Sequence, residues 1–166
     1  MSRKDNSGFD WLLWFLWIMA TTLGWVLSQL LLPAIGPVIA GFAIGVMQWF
    51  VLRDRIRNAW RWSLATGVGW GIGVSLVLFA IPDQIRFPYG VIVGATTGIA
   101  QWLILRGEVY FSGWWIVISI IGWFTGLSMI PGLLTTGTMA GLLTGIAIEL
   151  LLRNPKPVIS PDGDPG

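Results

Sequence analysis

Six long apolar stretches follow one another along this chain, separated only by short segments that contain charged residues, proline or glycine. The stretches cover approximately residues 11–32, 36–52, 60–80, 89–105, 113–130 and 133–152. A helix needs about 20 apolar residues to cross the ~30 Å hydrocarbon core of a bilayer, and each stretch is close to that length. The sequence therefore predicts an all-α integral membrane protein with six transmembrane helices, whose first partner is the lipid bilayer.

Composition limits both the solvent and the chemistry of the chain. Its 166 residues are 55% hydrophobic and 11% charged, which is more apolar surface than a soluble domain of this size can bury. The chain contains no cysteine and no histidine. Thiolate zinc sites, iron–sulfur clusters, His-ligated haem and triads of the Ser/His/Asp or Cys/His type are therefore excluded. We expect a protein that is not an enzyme, with no catalytic residues, no metal site and no cofactor.

Positive charges are distributed very unevenly when six helices are drawn, because one side carries nine basic residues and the other carries only Arg86. Loops rich in Lys and Arg stay in the cytoplasm, so both termini should be cytoplasmic, in a bacterial inner membrane or a thylakoid membrane. The net charge of +2 comes from these loop residues, so it does not indicate a nucleic-acid partner. The nine residues are Arg3, Lys4, Arg53, Arg55, Arg57, Arg61, Arg106, Arg153 and Lys156.

Two motifs repeat along the chain. The odd-numbered helices carry W-x-x-x-[ST]-x-x-G-W-x-x-[GS], in copies that begin at Trp17, Trp62 and Trp115. The even-numbered helices carry G-x-x-x-G-x-x-Q-W-x-x-L-R, in copies that begin at Gly41 and Gly94. Repeated pairs of helices predict three tandem helical hairpins in a pseudo-threefold bundle.

The third even-numbered helix departs from its motif, because Ile148 and Glu149 stand where the other copies have Gln-Trp. The repeats cover about residues 11–57, 58–109 and 110–153, within a membrane domain of residues 11–153. Residues 1–10 form a cytoplasmic N-terminus on this reading. Residues 154–166, rich in Pro, Gly and Asp, are expected to form a disordered cytoplasmic tail.

Small residues in both motifs fall on one stripe of each helix, because positions 0, 4, 7 and 11 lie on one face at 3.6 residues per turn. Such stripes let helix backbones approach closely, which provides the van der Waals contact that drives association in lipid. We therefore expect the stripes to face protein. The glycines concerned are Gly24, Gly41, Gly45, Gly69, Gly73, Gly94, Gly98, Gly122, Gly126, Gly141 and Gly145.

A second tryptophan lies deeper in each odd-numbered helix, at Trp25, Trp70 and Trp123. We interpret the first tryptophan of each motif as interfacial, which places the second ones near the middle of the membrane, ~12 Å away. The favoured hypothesis makes them separate wedges between hairpins, each with its indole N–H bonded inside the protein. The alternative is a shared cage for a chlorophyll, carotenoid or quinone.

Polar residues at membrane depth form the remaining candidates. Gln48 and Gln101 are expected to make hydrogen bonds between helices in preference to lining a pore. Glu149 should form an ion pair with Arg153, four residues later. On the ligand-binding alternative, any of these three side-chain oxygens could hold a chlorophyll magnesium.

Two further tryptophans each precede an arginine by four residues, namely Trp49 before Arg53 and Trp102 before Arg106. They are interpreted as belt residues, each with a cation–π contact to its arginine.

The alternation of G-x-x-x-G-x-x-Q-W-x-x-L-R helices with G-W helices, over residues 11–153, resembles a group of repeat membrane proteins from cyanobacteria and Chloroflexi-like bacteria. That resemblance implies the repeat architecture and carries no established activity.

Three functions stay open. The first is a structural or assembly subunit of a larger membrane complex, which partners other membrane proteins or itself. The others are a channel or transporter for a small neutral solute, and a pigment-, quinone- or lipid-binding protein.

Overall fold

The computed structural model describes residues 8–31, 34–81 and 89–157, and within these ranges it contains six α-helices and one π-helical segment. The elements are α1 (Trp11–Leu31), α2 (Gly36–Leu52), α3 (Trp60–Phe79), α4 (Tyr89–Leu105), α5 (Trp114–Phe124) with the π-helical segment Thr125–Met129, and α6 (Thr135–Leu152). Each predicted apolar stretch is a helix, and the boundaries agree within two residues. Arg3, Lys4 and Arg86, three of the ten basic residues, lie outside the described residues.

The helices form a closed ring. Each one packs against the helices that precede and follow it in the chain, and α6 packs against α1. Large apolar side chains cover the outside of this ring, and Phe42, Val68, Ile72 and Leu103 are each more than half exposed. An apolar exterior of this kind is suited to contact with lipid tails or with another apolar surface.

The chain links at one end of the ring are tied together. Asp10, just before α1, pairs with Arg55 in the α2–α3 link at 3.1 Å between oxygen and nitrogen. Arg57 in the same link pairs with Glu108 in the α4–α5 link at 3.2 Å. Backbone hydrogen bonds then join the α4–α5 link to the residues after α6, with Tyr110 N–H donating to the carbonyl of Asn154. The described basic residues therefore gather at one end.

The α2–α3 and α4–α5 links share one conformation although their sequences differ. Leu52 O accepts from Ile56 N–H at 3.1 Å, and the corresponding Leu105 O accepts from Val109 N–H at 2.9 Å. Both links also contain a non-glycine residue with positive φ at the same place, Asn58 at 50° and Phe111 at 58°. Asparagine tolerates this region well, whereas a bulky residue such as phenylalanine rarely adopts it.

Membrane-spanning capacity differs among the helices. Three of them, α1, α3 and α6, are long and apolar enough to cross a bilayer. The others, α2, α4 and α5 with its π-helical extension, are apolar but shorter. The structure is thus that of a helical, Trp-rich membrane protein with three candidate spans in the described part of the chain.

The residues after α6 begin as a bonded segment. Asn154 accepts the Tyr110 N–H, and Lys156 N–H donates to the carbonyl of Glu108 at 2.8 Å. The sequence predicts a disordered tail from Asn154 onward, but Asn154 and Lys156 are hydrogen-bonded to the α4–α5 link. Residues 158–166 lie outside the described structure.

Candidate functional site

Three tryptophans fill the middle of the ring near its basic end. The indole rings of Trp17, Trp62 and Trp115 meet edge to face, with centroids 5.8, 6.0 and 5.5 Å apart, and all three side chains are at most 1% exposed. They lie on the stripe expected to face protein, and their interfacial depth in the membrane stays a prediction. Each faces inward from its odd-numbered helix, so the three rings converge on the axis.

Each glutamine of the even-numbered motif bridges two other helices. Trp62 Nε1–H donates to Gln48 Oε1 at 2.9 Å, and Gln48 Nε2–H donates to Thr21 Oγ1 at 3.0 Å. Gln48 on α2 thereby joins α3 to α1. A primary amide can do this because it carries a donor and an acceptor on one rigid group.

The same arrangement recurs one repeat later. Trp115 Nε1–H donates to Gln101 Oε1 at 2.9 Å, and Gln101 Nε2–H donates to Thr66 Oγ1 at 2.8 Å. Gln101 on α4 thereby joins α5 to α3. Both glutamines are 3% exposed, and each amide is bonded within the protein, as expected for inter-helix hydrogen bonds.

In the third repeat the indole N–H of the core tryptophan has a different acceptor. Ile148 stands where the other copies have glutamine and accepts no hydrogen bond, so Trp17 Nε1–H donates to Thr144 Oγ1, one turn earlier on α6, at 3.0 Å. The Thr144 hydroxyl in turn donates to the Ala140 carbonyl at 2.6 Å. The motif carried a partial signal for this substitute, because the position of Thr144 is also threonine in the second copy, Thr97, although it is isoleucine in the first, Ile44.

The deeper tryptophans also meet. Trp70 lies 4.7 Å from Trp123 and 6.2 Å from Trp25 between ring centroids. The hypothesis of three separated wedges is therefore wrong, since all three helices turn these indoles toward one region. Two of the N–H groups are bonded as expected, from Trp70 to the Pro37 carbonyl at 2.8 Å and from Trp25 to the Gly132 carbonyl at 3.3 Å.

An apolar cavity of about 310 Å³ lies beside these rings. Trp25, Trp70, Tyr89, Val93 and Leu127 are among its walls, and Trp123 is not. The three indoles therefore do not form a common cage, although two of them, Trp25 and Trp70, line this cavity.

Glu149 lies at the basic end of the ring and is 2% exposed. Its Oε1 accepts from Arg153 Nε at 2.7 Å, which is the predicted ion pair, and from the backbone N–H of Asp10 at 2.9 Å. Its Oε2 has no hydrogen-bond partner among the described residues. A buried acceptor left in this state costs free energy.

A cavity of about 440 Å³ opens beside Glu149. Its polar walls are Asp10, Arg55, Glu149 and Arg153, two acids and two bases, and apolar residues including Phe9 and Leu152 complete it. The Leu13 N–H, bonded to Asp10 Oδ1 at 2.9 Å, and the nearby Arg55 guanidinium hold the pKa of the Asp10 carboxyl below its usual value. The sequence identified Glu149 as a candidate and Arg55 only as a loop charge, and it gave no signal for Asp10, because nothing within one helix shows that these three segments meet.

Of the two predicted cation–π pairs, one is present in the structure and the other is not. The Arg106 guanidinium lies 5.5 Å from the Trp102 ring centroid, as the spacing predicted. Arg53 lies instead over Phe50, at 6.0 Å, so the pairing with Trp49 is wrong. The Trp49 ring contacts the Phe50 ring in a tilted arrangement, with 4.7 Å between centroids.

The motif glycines lie at helix contacts around the ring. A Cβ at Gly41 would overlap the Cβ of Trp70, and one at Gly98 would lie 2.9 Å from the Cβ of Ser119. Backbone or side-chain atoms of a neighbouring helix also lie within 4 Å of a Cβ built at the other nine. These are Gly24, Gly45, Gly69, Gly73, Gly94, Gly122, Gly126, Gly141 and Gly145.

Chemical groups that could hold a metal ion are sparse. Within the described ranges, no group of three Asp, Glu, His or Cys side chains comes together. No protein-family model, curated protein or solved structure matches the chain. The candidate site is therefore defined by geometry, as two tryptophan layers on the axis with an apolar cavity toward one end and a polar cavity at the other.

Proposed function

We propose that this chain is a non-enzymatic integral membrane protein that serves as a structural or assembly subunit of a larger membrane complex. In this proposal all six helices span the membrane as three tandem hairpins around a pseudo-threefold axis. Both termini are cytoplasmic, in a bacterial inner membrane or a thylakoid membrane. Its partners are lipid and other membrane-protein subunits or further copies of itself, and nucleic acid is not among them.

The observation that carries this proposal is the filled axis. Trp17, Trp62 and Trp115 close the ring with indoles that are at most 1% exposed, and Gln48 and Gln101 lock two of them in place. A solute path along the axis would have to break these contacts and leave buried N–H groups unpaired, at about 1–3 kcal/mol each. The packing therefore favours a rigid scaffold over a channel or transporter.

Chemistry on the chain supports the non-enzymatic part of the proposal. Catalysis needs a nucleophile with a base, a metal, or a pair of carboxylates placed around a reacting atom. The two acids of the polar cavity, Asp10 and Glu149, each form an ion pair with an arginine. The surface available to other membrane-protein subunits is the exposed apolar exterior.

Purification in a mild detergent tests the subunit proposal. We expect defined membrane proteins, or a discrete homo-oligomer, to accompany the tagged full-length chain in fixed proportion, identified by mass spectrometry. The matched comparison is the same preparation after transfer to a harsher detergent that releases weakly held subunits. A chain that runs as a monomer in the mild detergent, with no companion, would contradict the proposal.

A second candidate function is binding of an apolar ligand, and the 310 Å³ cavity favours it. Its size lies at the lower end of ligand pockets, ~300–1,000 Å³, which suits an acyl chain or a quinone ring better than a chlorophyll. A bound quinone, pigment or lipid that co-purifies with the parent and is lost in Trp70→Phe would establish it. Trp60→Phe is the control, since Trp60 is 53% exposed on the exterior and does not line the 310 Å³ cavity.

A further inference from the structure

The polar cavity beside Glu149 exists where the repeat is broken. In the first two repeats the corresponding position of the even-numbered helix is a tryptophan, Trp49 or Trp102. These two indoles pack against the core at the basic end of the ring. In the third repeat the shorter Glu149 occupies that position and lines a cavity of about 440 Å³. The cavity therefore coincides with the one repeat in which glutamate replaces this tryptophan.

Its hydrogen-bonding groups are only partly used. Glu149 Oε2 is buried and has no partner among the described residues. Arg153 uses Nε and Nη2 on Glu149 Oε1, and Arg55 uses Nη1 on Asp10 Oδ2. A guanidinium carries five N–H donors, so both arginines retain donors, and both side chains are 37% exposed. One acceptor and several donors thus remain within one small cavity.

This pattern selects the chemistry of a ligand. The missing partner of Glu149 Oε2 is a hydrogen-bond donor, and a cationic donor makes the stronger bond to a carboxylate in a desolvated place. The remaining arginine donors suit an anionic oxygen, above all a phosphate. Two acids and two bases leave the walls without net charge, which matches a ligand that carries one ammonium and one phosphate.

The surroundings indicate where such a ligand comes from. The cavity lies at the start of α1, and its walls include Trp11, which is 67% exposed on the apolar exterior of that helix. Leu13 and Leu152 supply further apolar surface inside it. A headgroup could enter while its acyl chains lie along the outside of α1, so that polar and apolar parts of one molecule meet matching surfaces.

We propose that this cavity binds the headgroup of a phospholipid with a primary amine, with the ammonium on Glu149 Oε2 and the phosphate on Arg55 and Arg153. The proposal rests on the membrane location proposed above. The shared chemistry is an ammonium next to a phosphate, which a free phosphoethanolamine would also carry.

Native mass spectrometry of the full-length chain in mild detergent tests this site. Phosphatidylethanolamine should bind at least about tenfold more tightly than phosphatidylcholine, equivalent to about 1.4 kcal/mol, because trimethylation removes every ammonium N–H. Phosphatidylglycerol, which has no amine, should also bind more weakly. Equal binding of the three lipids would overturn the proposal.

Substitutions locate the binding. Glu149→Trp introduces the residue type of the other repeats and should fill the cavity and abolish the preference, while a cooperative thermal transition in detergent shows that the variant is folded. Leu103→Trp is the control, because it adds an indole on the exposed face of α4 and should leave the preference intact. Retention of the preference in Glu149→Trp would contradict the proposed site.

Two further arms distinguish the sources of the ligand. Competition by free phosphoethanolamine at the same affinity would assign the site to a soluble molecule of the same chemistry, whereas absence of competition supports the lipid. A chain with both Arg3→Gln and Lys4→Gln is titrated alongside, because residues 1–7 lie outside the described structure. Lipid preference that emerges only in that variant would overturn the proposal in favour of the chain's own N-terminus.

Discussion

At the scale of single residues, the two buried glutamines carry most of the polar organisation inside the ring. Gln48 and Gln101 each accept from a tryptophan of one helix and donate to a threonine of another. The sequence placed these glutamines at membrane depth and predicted hydrogen bonds between helices. It did not identify the tryptophan partners, since these depend on how far each odd-numbered helix is rotated toward the axis.

Replacing Gln101 by Met should destabilise the protein by about 1 kcal/mol or more, because Trp115 Nε1–H and Thr66 Oγ1 both lose a partner in a buried place. The detergent melting temperature should fall accordingly. Trp115→Phe removes the stranded donor, so Gln101→Met should cost less in the Trp115→Phe background than in the parent. Strictly additive effects in this double-mutant cycle would show that the hydrogen bond does not stabilise the fold.

At the scale of helices, the seams between neighbours depend on glycine. Gly41 lies against Trp70 and Thr66 of α3, and a Cβ there would meet their atoms. Gly71, also in a helix, has nothing within 4 Å of a Cβ built on it. The repeat motif includes Gly41 and does not include Gly71, in agreement with the contacts, since only Gly41 lies against a neighbouring helix.

Gly41→Ala should therefore destabilise the protein by about 1–3 kcal/mol, because one added methyl group forces α2 and α3 apart. Gly71→Ala should be neutral or slightly stabilising, since alanine is the better helix former by up to about 1 kcal/mol. Thermal unfolding in detergent compares the two directly. Similar losses from both substitutions would contradict the assignment of the α2–α3 seam.

Substitutions in the third repeat test how α6 is oriented relative to Trp17. Thr144→Ile should leave Trp17 Nε1–H without its acceptor and lower the melting temperature. Adding Ile148→Gln recreates the Ile-x-x-x-Gln spacing of Ile44 and Gln48 on α6, and it should recover part of the loss. A double variant no more stable than Thr144→Ile alone would show that α6 is rotated too far for glutamine to reach Trp17.

At the scale of the whole molecule, the joined links fix which ends lie together. Ion pairs and backbone bonds connect the start of α1, the α2–α3 link, the α4–α5 link and the residues after α6. These four segments can lie at one end of the ring because the chain passes through two helices, one in each direction, between each segment and the next. This arrangement agrees with the proposal of six spans, although α2, α4 and α5 are short for a ~30 Å hydrocarbon core.

Cysteine labelling tests this topology, since the chain has no native cysteine. Cysteines at Asp54, in the α2–α3 link, and at Lys156, after α6, should resist an impermeant thiol reagent in intact cells. A cysteine at Gln84, which lies outside the described residues, should react. Labelling of Asp54→Cys or Lys156→Cys in intact cells would refute the six-span arrangement. The lipid preference of the Glu149 cavity is measured independently in detergent, so either result can fail alone.

Local patterns along the chain determined the helices and their packing stripes. Apolar length decides where a helix begins and ends, and the spacing of glycines decides which face can approach a neighbour, so both can be read from consecutive residues. The charge of the links likewise groups one set of ends together.

Tertiary structure alone decided what meets on the axis. The stripe within each helix indicated that Trp17, Trp62 and Trp115 face protein, but only the closed ring brings the three indoles, from distant parts of the chain, into contact. The same holds for Thr144 as the substitute acceptor and for the cavity between Glu149 and Asp10, whose residues are 139 positions apart. Such contacts depend on ring closure between α6 and α1, which links the two ends of the sequence.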